Sequence, residues 1–208
     1  MRSKWGLKGL MIAAVAVVNL ALAGSAFAIV FDLTSDHCTG GCGTAPFGTV
    51  TLLQTGANVN FTVDLAGSNT WAQTGAADFQ LFKFNGTGIV LGDFSVTQTF
   101  AGQNLQANTG TFNGDGTGPF SFGISCTTCG NGALGITSNL VFSVANATIA
   151  ELTAGNPLNI FVADVFSGQT GNTGPVDVGP NPPRVPEPAS LTLLGLGLAG
   201  LGWSRRKK

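Results

Sequence analysis

Few residues in this chain are equipped for chemistry, and four of them are cysteines in two close pairs: Cys38 and Cys42 in DHCTGGCG, Cys126 and Cys129 in SCTTCG. Two chemistries fit that spacing. Four thiolates could close a tetrahedral zinc site, with Asp36 and His37 as spare ligands. In an oxidising compartment the same pairs close as disulfides, Cys38–Cys42 and Cys126–Cys129. Loop entropy gives a local bridge about 2 kcal/mol and a cross-pairing over about 90 residues about 4.6 kcal/mol. The larger figure does not choose the connectivity, which follows from which sulfurs meet. A c-type haem is excluded at this site, because Gly130 rather than a histidine follows Cys129.

His37 is the only histidine. A nucleophile–base–orienter triad would have to be built on it. Asp36 beside it in sequence need not face it, and neither Ser35 nor Ser125 is singled out by spacing. Glu151 is the only glutamate between the two ends of the chain, and no aspartate pair is marked for glycoside hydrolysis. Without a recognisable constellation, neither an enzyme nor a cofactor is expected. Asn113, Asp115 and Thr117 in FNGDGTGPF imitate the start of a calcium loop, but the later acidic ligand is missing and Gly-Asp-Gly reads as a turn. Trp71, in the polar stretch SNTWAQTG, is read as a loop residue; it could stack on a sugar ring, but a loop Trp folded over the rim of the core is the commoner arrangement. Thr-x-Thr occurs at Thr49/Thr51, Thr97/Thr99 and Thr109/Thr111; an ice-binding face would need these in register, and ordinary solvated strand is the expectation.

The elements that must position these residues lie between two processing signals. Arg2, Lys4 and Lys8 precede an apolar stretch from Leu10 to Leu22, and the small-residue run AGSAFA follows. This is the layout of a secretory signal peptide occupying residues 1–28, with Ala26 and Ala28 at the −3 and −1 positions of the cut. Export favours disulfides over zinc at the cysteine pairs.

At the other end, Ala189 to Trp203 is uncharged and largely apolar. As a helix of about 15 residues at roughly 1.5 Å each it reaches about 22 Å, against a hydrocarbon core of about 30 Å. It is marginal as a lone span, though flanking Lys and Arg side chains extend its reach by snorkelling. Arg205, Arg206, Lys207 and Lys208 keep the tail cytoplasmic and place the body outside. Gly195, Ala199, Gly200 and Gly202 would let a membrane-embedded partner helix approach closely.

Val185-Pro186-Glu187-Pro188, the short apolar run and the basic cluster occur in that order, and residues 185–208 resemble the PEP-CTERM sorting signal of exported bacterial proteins. The resemblance implies recognition by exosortase, a multi-spanning membrane protease or transpeptidase, and processing near the Pro-Glu-Pro motif. It also implies a transient membrane-anchored precursor in a Gram-negative-type envelope, and a destination at the cell surface or in extracellular polysaccharide. The segments TSDHCTGGCG and GNTGPVD are similar to stretches of other PEP-CTERM proteins of undefined function.

Between the signals, nine carboxylates face only two bases, Lys83 and Arg184. Phosphate neutralisation needs clustered Lys and Arg, so a nucleic-acid partner is excluded. With 31 glycines in the chain, abundant Thr and Asn, and 15 Phe but no Tyr, the composition suggests an all-β surface protein.

Period-two alternation supports this. ANVNFTVDL puts Val59, Phe61, Val63 and Leu65 on one face, GTVTLLQT precedes it, and TGAN supplies a hairpin turn. IVFDLT, DFQLFKF, GIVLGDFSVTQTF, GPFSFGI, NLVFSV and LNIFVADVF are further strand candidates. Together they predict a β-sandwich or jelly-roll-like ectodomain over residues 29–166. Thr148 to Glu151 forms a capping-box pattern that predicts one short helix, ended by Gly155 and Pro157. A signal helix and a C-terminal membrane helix complete the expected elements. Residues 167–184 gain Pro and Gly and lose periodicity, so they read as an extended stalk. The competing reading is a final edge strand over residues 175–178, because proline confines a strand to an edge.

Overall fold

The computed structural model describes residues 27–74, 78–96, 100–154 and 159–179. In chain order the strands are β1 (Phe27–Asp36), β2 (Gly48–Thr55), β3 (Asn58–Leu65), β4 (Thr70–Gln73), β5 (Phe82–Phe84), β6 (Phe94–Ser95), β7 (Leu105–Phe112) and β8 (Phe120–Cys126). They continue as β9 (Gly132–Ala133), β10 (Leu140–Val144), β11 (Phe161–Phe166) and β12 (Thr173–Val178), with one helix, α1 (Ile149–Thr153), before β11.

The expected alternation is realised. β3 turns Val59, Phe61 and Val63 inward, and they face Val144, Phe142 and Leu140 of antiparallel β10. β2 buries Val50 and Leu52 on the same side and joins β3 through the predicted tight hairpin, with Thr55 opposite Asn58. The core is built mainly from phenylalanine rings. Phe61 stacks on Phe142 at 4.4 Å and meets Phe84 at 5.2 Å, while Phe82 stacks on Phe161 at 5.9 Å. α1 begins on the predicted capping box: Thr148 N donates to Glu151 Oε2 at 2.7 Å, and Glu151 N donates to Thr148 Oγ1 at 3.3 Å.

Two expectations need correction. The strands form one antiparallel sheet in the order β6-β10-β3-β2-β1-β12-β11-β5-β8-β7, rather than the two sheets of a sandwich. Its ends curl together, with Phe94 of β6 only 5.1 Å from Phe122 of β8, so the sheet is nearly a barrel. The strand that joins its halves is β12, inside the segment expected to be a stalk. β12 pairs with β1 on one side and β11 on the other, and Gly174 to Val178 are buried, so the folded domain runs well past residue 166.

Proline did not confine β12 to an edge because of where Pro175 falls. Its carbonyl accepts from His37 N at 3.0 Å, beyond the last β1–β12 register pair, Asp36 with Val176. A strand residue points N–H and C=O to the same side, so the missing N–H falls outside that ladder. Among the described residues no helix is long and apolar enough to cross a membrane. The expected signal and C-terminal helices, Ala26, and the basic tail Arg205, Arg206, Lys207 and Lys208 lie outside the described residues, as do Thr97, Thr99, Gly155 and Pro157.

Candidate functional site

The cysteines form the two local disulfides, Cys38–Cys42 and Cys126–Cys129. Asp36, Cys38 and Cys42 bring three ligand-type atoms within 4.8 Å of one another, but the two sulfurs are bonded to each other. Asp36 is occupied as well: Oδ1 accepts from Cys38 N at 2.9 Å and Oδ2 from Cys42 N at 2.6 Å. The carboxylate therefore organises the disulfide loop.

That loop is fastened to the turn between β11 and β12. Ser167 Oγ donates to Cys42 O at 2.6 Å, while Thr170 Oγ1 and Asn172 Nδ2 each donate to Gly41 O at 2.8 Å. Gln169 exchanges hydrogen bonds with the backbone of Thr44, accepting at 3.0 Å and donating at 3.2 Å. Gly174 lies so close that a Cβ there would come within 2.6 Å of Cys38 Cα. The TSDHCTGGCG and GNTGPVD segments, far apart in sequence, thus form one composite surface.

At its margin, Ser35, His37 and Asp177 meet. Ser35 Oγ lies 3.0 Å from His37 Nε2, and Asp177 Oδ2 lies 3.2 Å from the same nitrogen. A catalytic relay needs the nucleophile and the carboxylate on different ring nitrogens. Here one nitrogen meets both, so the cluster lacks relay geometry. Asp177 is buried with Oδ1 unpaired, and desolvation raises its pKa against the opposing hydrogen bond from Ser35 and the charge of His37.

A second polar cluster was missed in the sequence reading. Lys83, flanked by the inward-facing Phe82 and Phe84, points to the other face of β5 and is completely buried. Its Nζ lies 3.6 Å from Asp78 Oδ1 and donates to Gln80 O at 3.2 Å. Asp164 shares this face, two residues beyond Val162, the register partner of Lys83. Asp164 Oδ2 accepts from both Thr74 N and Thr74 Oγ1 at 2.7 Å, whereas Oδ1 is unpaired. Burial raises the pKa of Asp164, and the Lys83 charge works in the opposite direction. The signal for this cluster was a lone lysine at the outward phase of an apolar strand.

Trp71 does not occupy the expected position. It is fully buried, donates from Nε1 to Ser138 O at 2.9 Å and packs edge-on against Phe100 at 5.9 Å, so it offers no face to a sugar. The stretch is short strand β4, whose backbone is bonded to a covering segment: Leu134 N donates to Trp71 O and Trp71 N to Ile136 O, both at 2.9 Å. Above Trp71 lies an open cleft of about 230 Å³ lined by Gln103, Thr128, Cys129, Asn131, Leu134 and Ile136, among others, with no charged residue.

Asn113 to Thr117 make a turn in which Gly114, Asp115 and Gly116 all have positive φ and Thr117 Oγ1 donates to Gly114 O at 2.7 Å. The described threonine pairs, on β2 and β7, are separated by β1, β12, β11, β5 and β8, so they do not form one flat array.

Residues 184–207 match the family model of the PEP-CTERM protein-sorting motif, in agreement with the sorting signal expected at 185–208, which includes Val185, Pro186, Glu187 and Pro188. No curated protein and no solved structure matches the chain.

Proposed function

From the premise that the chain carries a PEP-CTERM signal, and so is an exported exosortase substrate with a membrane-anchored precursor, we propose that its domain serves as a non-enzymatic structural or adhesive component of the cell surface or extracellular polysaccharide matrix. The sorting motif at residues 184–207 carries this reading. The acidic balance, the disulfides and the absence of relay geometry at Ser35, His37 and Asp177 support it. Signal peptidase would cut after Ala28, inside the first residues of β1, leaving Ile29 to Leu33 paired with Leu52 to Gly48. Intact-mass measurement of the protein from its native envelope, with and without exosortase, tests the sorting step. A chain ending near Pro186 to Pro188 is expected when exosortase is present, and a chain from Ile29 to Lys208 in such cells contradicts it.

A second reading, carbohydrate recognition, is favoured by the cleft rather than by Trp71. Gln103 and Asn131 present side-chain amides with no hydrogen bond to described residues, above the aliphatic Leu134 and Ile136. Such an uncharged lining suits a neutral, hydroxyl-rich chain. A glycan array run with and without chelator distinguishes the two readings: no binding at high protein concentration removes the second.

A further inference from the structure

The strand directions give the barrel two unlike poles. β1 leaves one pole at Phe27 and reaches the other at Asp36, where the Cys38–Cys42 loop begins. β12 starts beside that loop and runs back, antiparallel to β1, to Val178. Phe27 and Val178, at the two ends of the described domain, therefore lie at the same pole. β8 runs parallel to β1 through the alternating ladder and ends at Cys126, which places the second disulfide at the far pole as well. The cleft beside Cys129 is there too.

The terminal pole also carries the β2–β3 hairpin, to which the residues entering α1 are tied. Ala147 N donates to Ala57 O at 3.0 Å, and Gln54 bonds both Ala147 O and Ile149 N. Next to it, Ala145 N donates to Asp93 O at 2.8 Å, fixing the 3-10 turn at Leu91–Asp93. That turn exposes Val90 and Leu91 by 62% and 45%. Leu53, near the end of β2, is exposed at the same pole. Among the carboxylates at this pole, Asp93 is engaged with Val90 N and Asn146 and Glu151 with Thr148, while Asp115 in the β7–β8 turn is exposed.

We propose that this terminal pole is the bilayer-facing surface of the anchored domain, with Val90 and Leu91 directed at the lipid and the disulfide pole directed outward. The inference rests on the membrane-anchored precursor described above. Nine residues, ten residue steps, separate Gly179 from Ala189, and the run is proline-rich; at roughly 3.1 Å per step it spans at most about 31 Å. An eight-residue strand alone is about 26 Å long. To invert the domain, the tether would have to pass along almost the whole barrel, which leaves it almost no length to reach the membrane.

The test uses the full chain in cells lacking exosortase, with a photo-crosslinking phenylalanine analogue at Val90, Asn58 or Thr39. Fold is checked in each by resistance of the cysteines to alkylation. Lipid adducts at Val90 and Asn58 several-fold above those at Thr39 are expected. Equal adducts, or more at Thr39, in a membrane-held chain overturn the orientation while leaving the sorting reading intact. A chain recovered in the soluble fraction overturns the sorting reading and the orientation together.

Discussion

Replacing Lys83 by Met keeps most of the buried stem but removes the one cation, among the described residues, that acts on both Asp78 and Asp164. At the observed 3.6 Å from Asp78, a charge pair in an effective dielectric of about 20 is worth roughly 4–5 kcal/mol. That agrees with the roughly 3–5 kcal/mol lost when one partner of a buried pair is removed. Taking about 4 kcal/mol, and about 2–4 °C per kcal/mol for a domain of this size, Lys83→Met should lower the melting temperature by about 8–16 °C. Urea denaturation of the exported, oxidised chain measures the loss. Adding Asp78→Asn and Asp164→Asn to Lys83→Met should recover much of it, because the remaining charges are then gone. The deficit should also depend on pH. Asp164 already has a raised folded pKa, and without Lys83 nothing cationic opposes that rise. A carboxyl of this kind destabilises the fold once ionised, and the penalty disappears on acidification below its unfolded value near 3.9. The deficit of Lys83→Met should therefore shrink as pH falls. A loss below about 1 kcal/mol, or an unchanged loss in the neutralised background, would refute Lys83 as the charge partner that makes this outer cluster tolerable.

Two further outcomes follow from the same geometry. Asp177→Asn removes a buried carboxylate whose raised pKa makes its ionised form unfavourable, so its stability relative to wild type should improve as pH rises above the unfolded carboxyl value of about 3.9; a pH-independent difference in urea midpoint contradicts this. Trp71→Ala should cost about 3–5 kcal/mol in thermal or urea unfolding as a fully buried aromatic, and a near-neutral result would mean that the residue is not part of the core.

Much of the sheet was legible because β2, β3 and β10 bury one face and leave the other wetter, which writes period two into the sequence. The capping box was legible because its partners are three residues apart. β12 was not, since both of its faces are covered and its residues Gly174, Pro175 and Asp177 resemble loop chemistry. The architectural miss follows from that single strand. Without β12 the order falls into β6-β10-β3-β2-β1 and β11-β5-β8-β7, which are the two sheets of a sandwich; with it they become one nearly closed sheet. Trp71 was misplaced for a related reason, because its polar neighbours Asn69 and Gln73 are buried and bonded to the backbone of Phe47 and Cys126 instead of standing in water. In the Ser35–His37–Asp177 and Lys83–Asp78–Asp164 clusters the members Asp177 and Asp164 arrive on strands far away in the chain, which local spacing does not encode.

The phenylalanine excess also acquires a reason in the fold. Ten of the fifteen Phe are buried, and the central rings touch other rings rather than polar groups. A tyrosine in such a position would carry a hydroxyl with no partner, at a cost of about 1–3 kcal/mol. Several buried polar side chains sit instead on the outer face, where Thr74 donates to Asp164, Gln80 Nε2 to Asp78 O and Lys83 Nζ to Gln80 O. The barrel thus separates an aromatic interior from a polar cluster beneath the covering turns, and its two ends are secured differently. The terminal pole relies on a tight hairpin and a capped helix, both written locally. The far pole carries loops whose strands have ended, held by two disulfides and by hydrogen bonds between segments some 130 residues apart, such as Asn172 to Gly41. Disulfides persist in oxidising compartments, so both bridges agree with the exported state that the sorting motif implies.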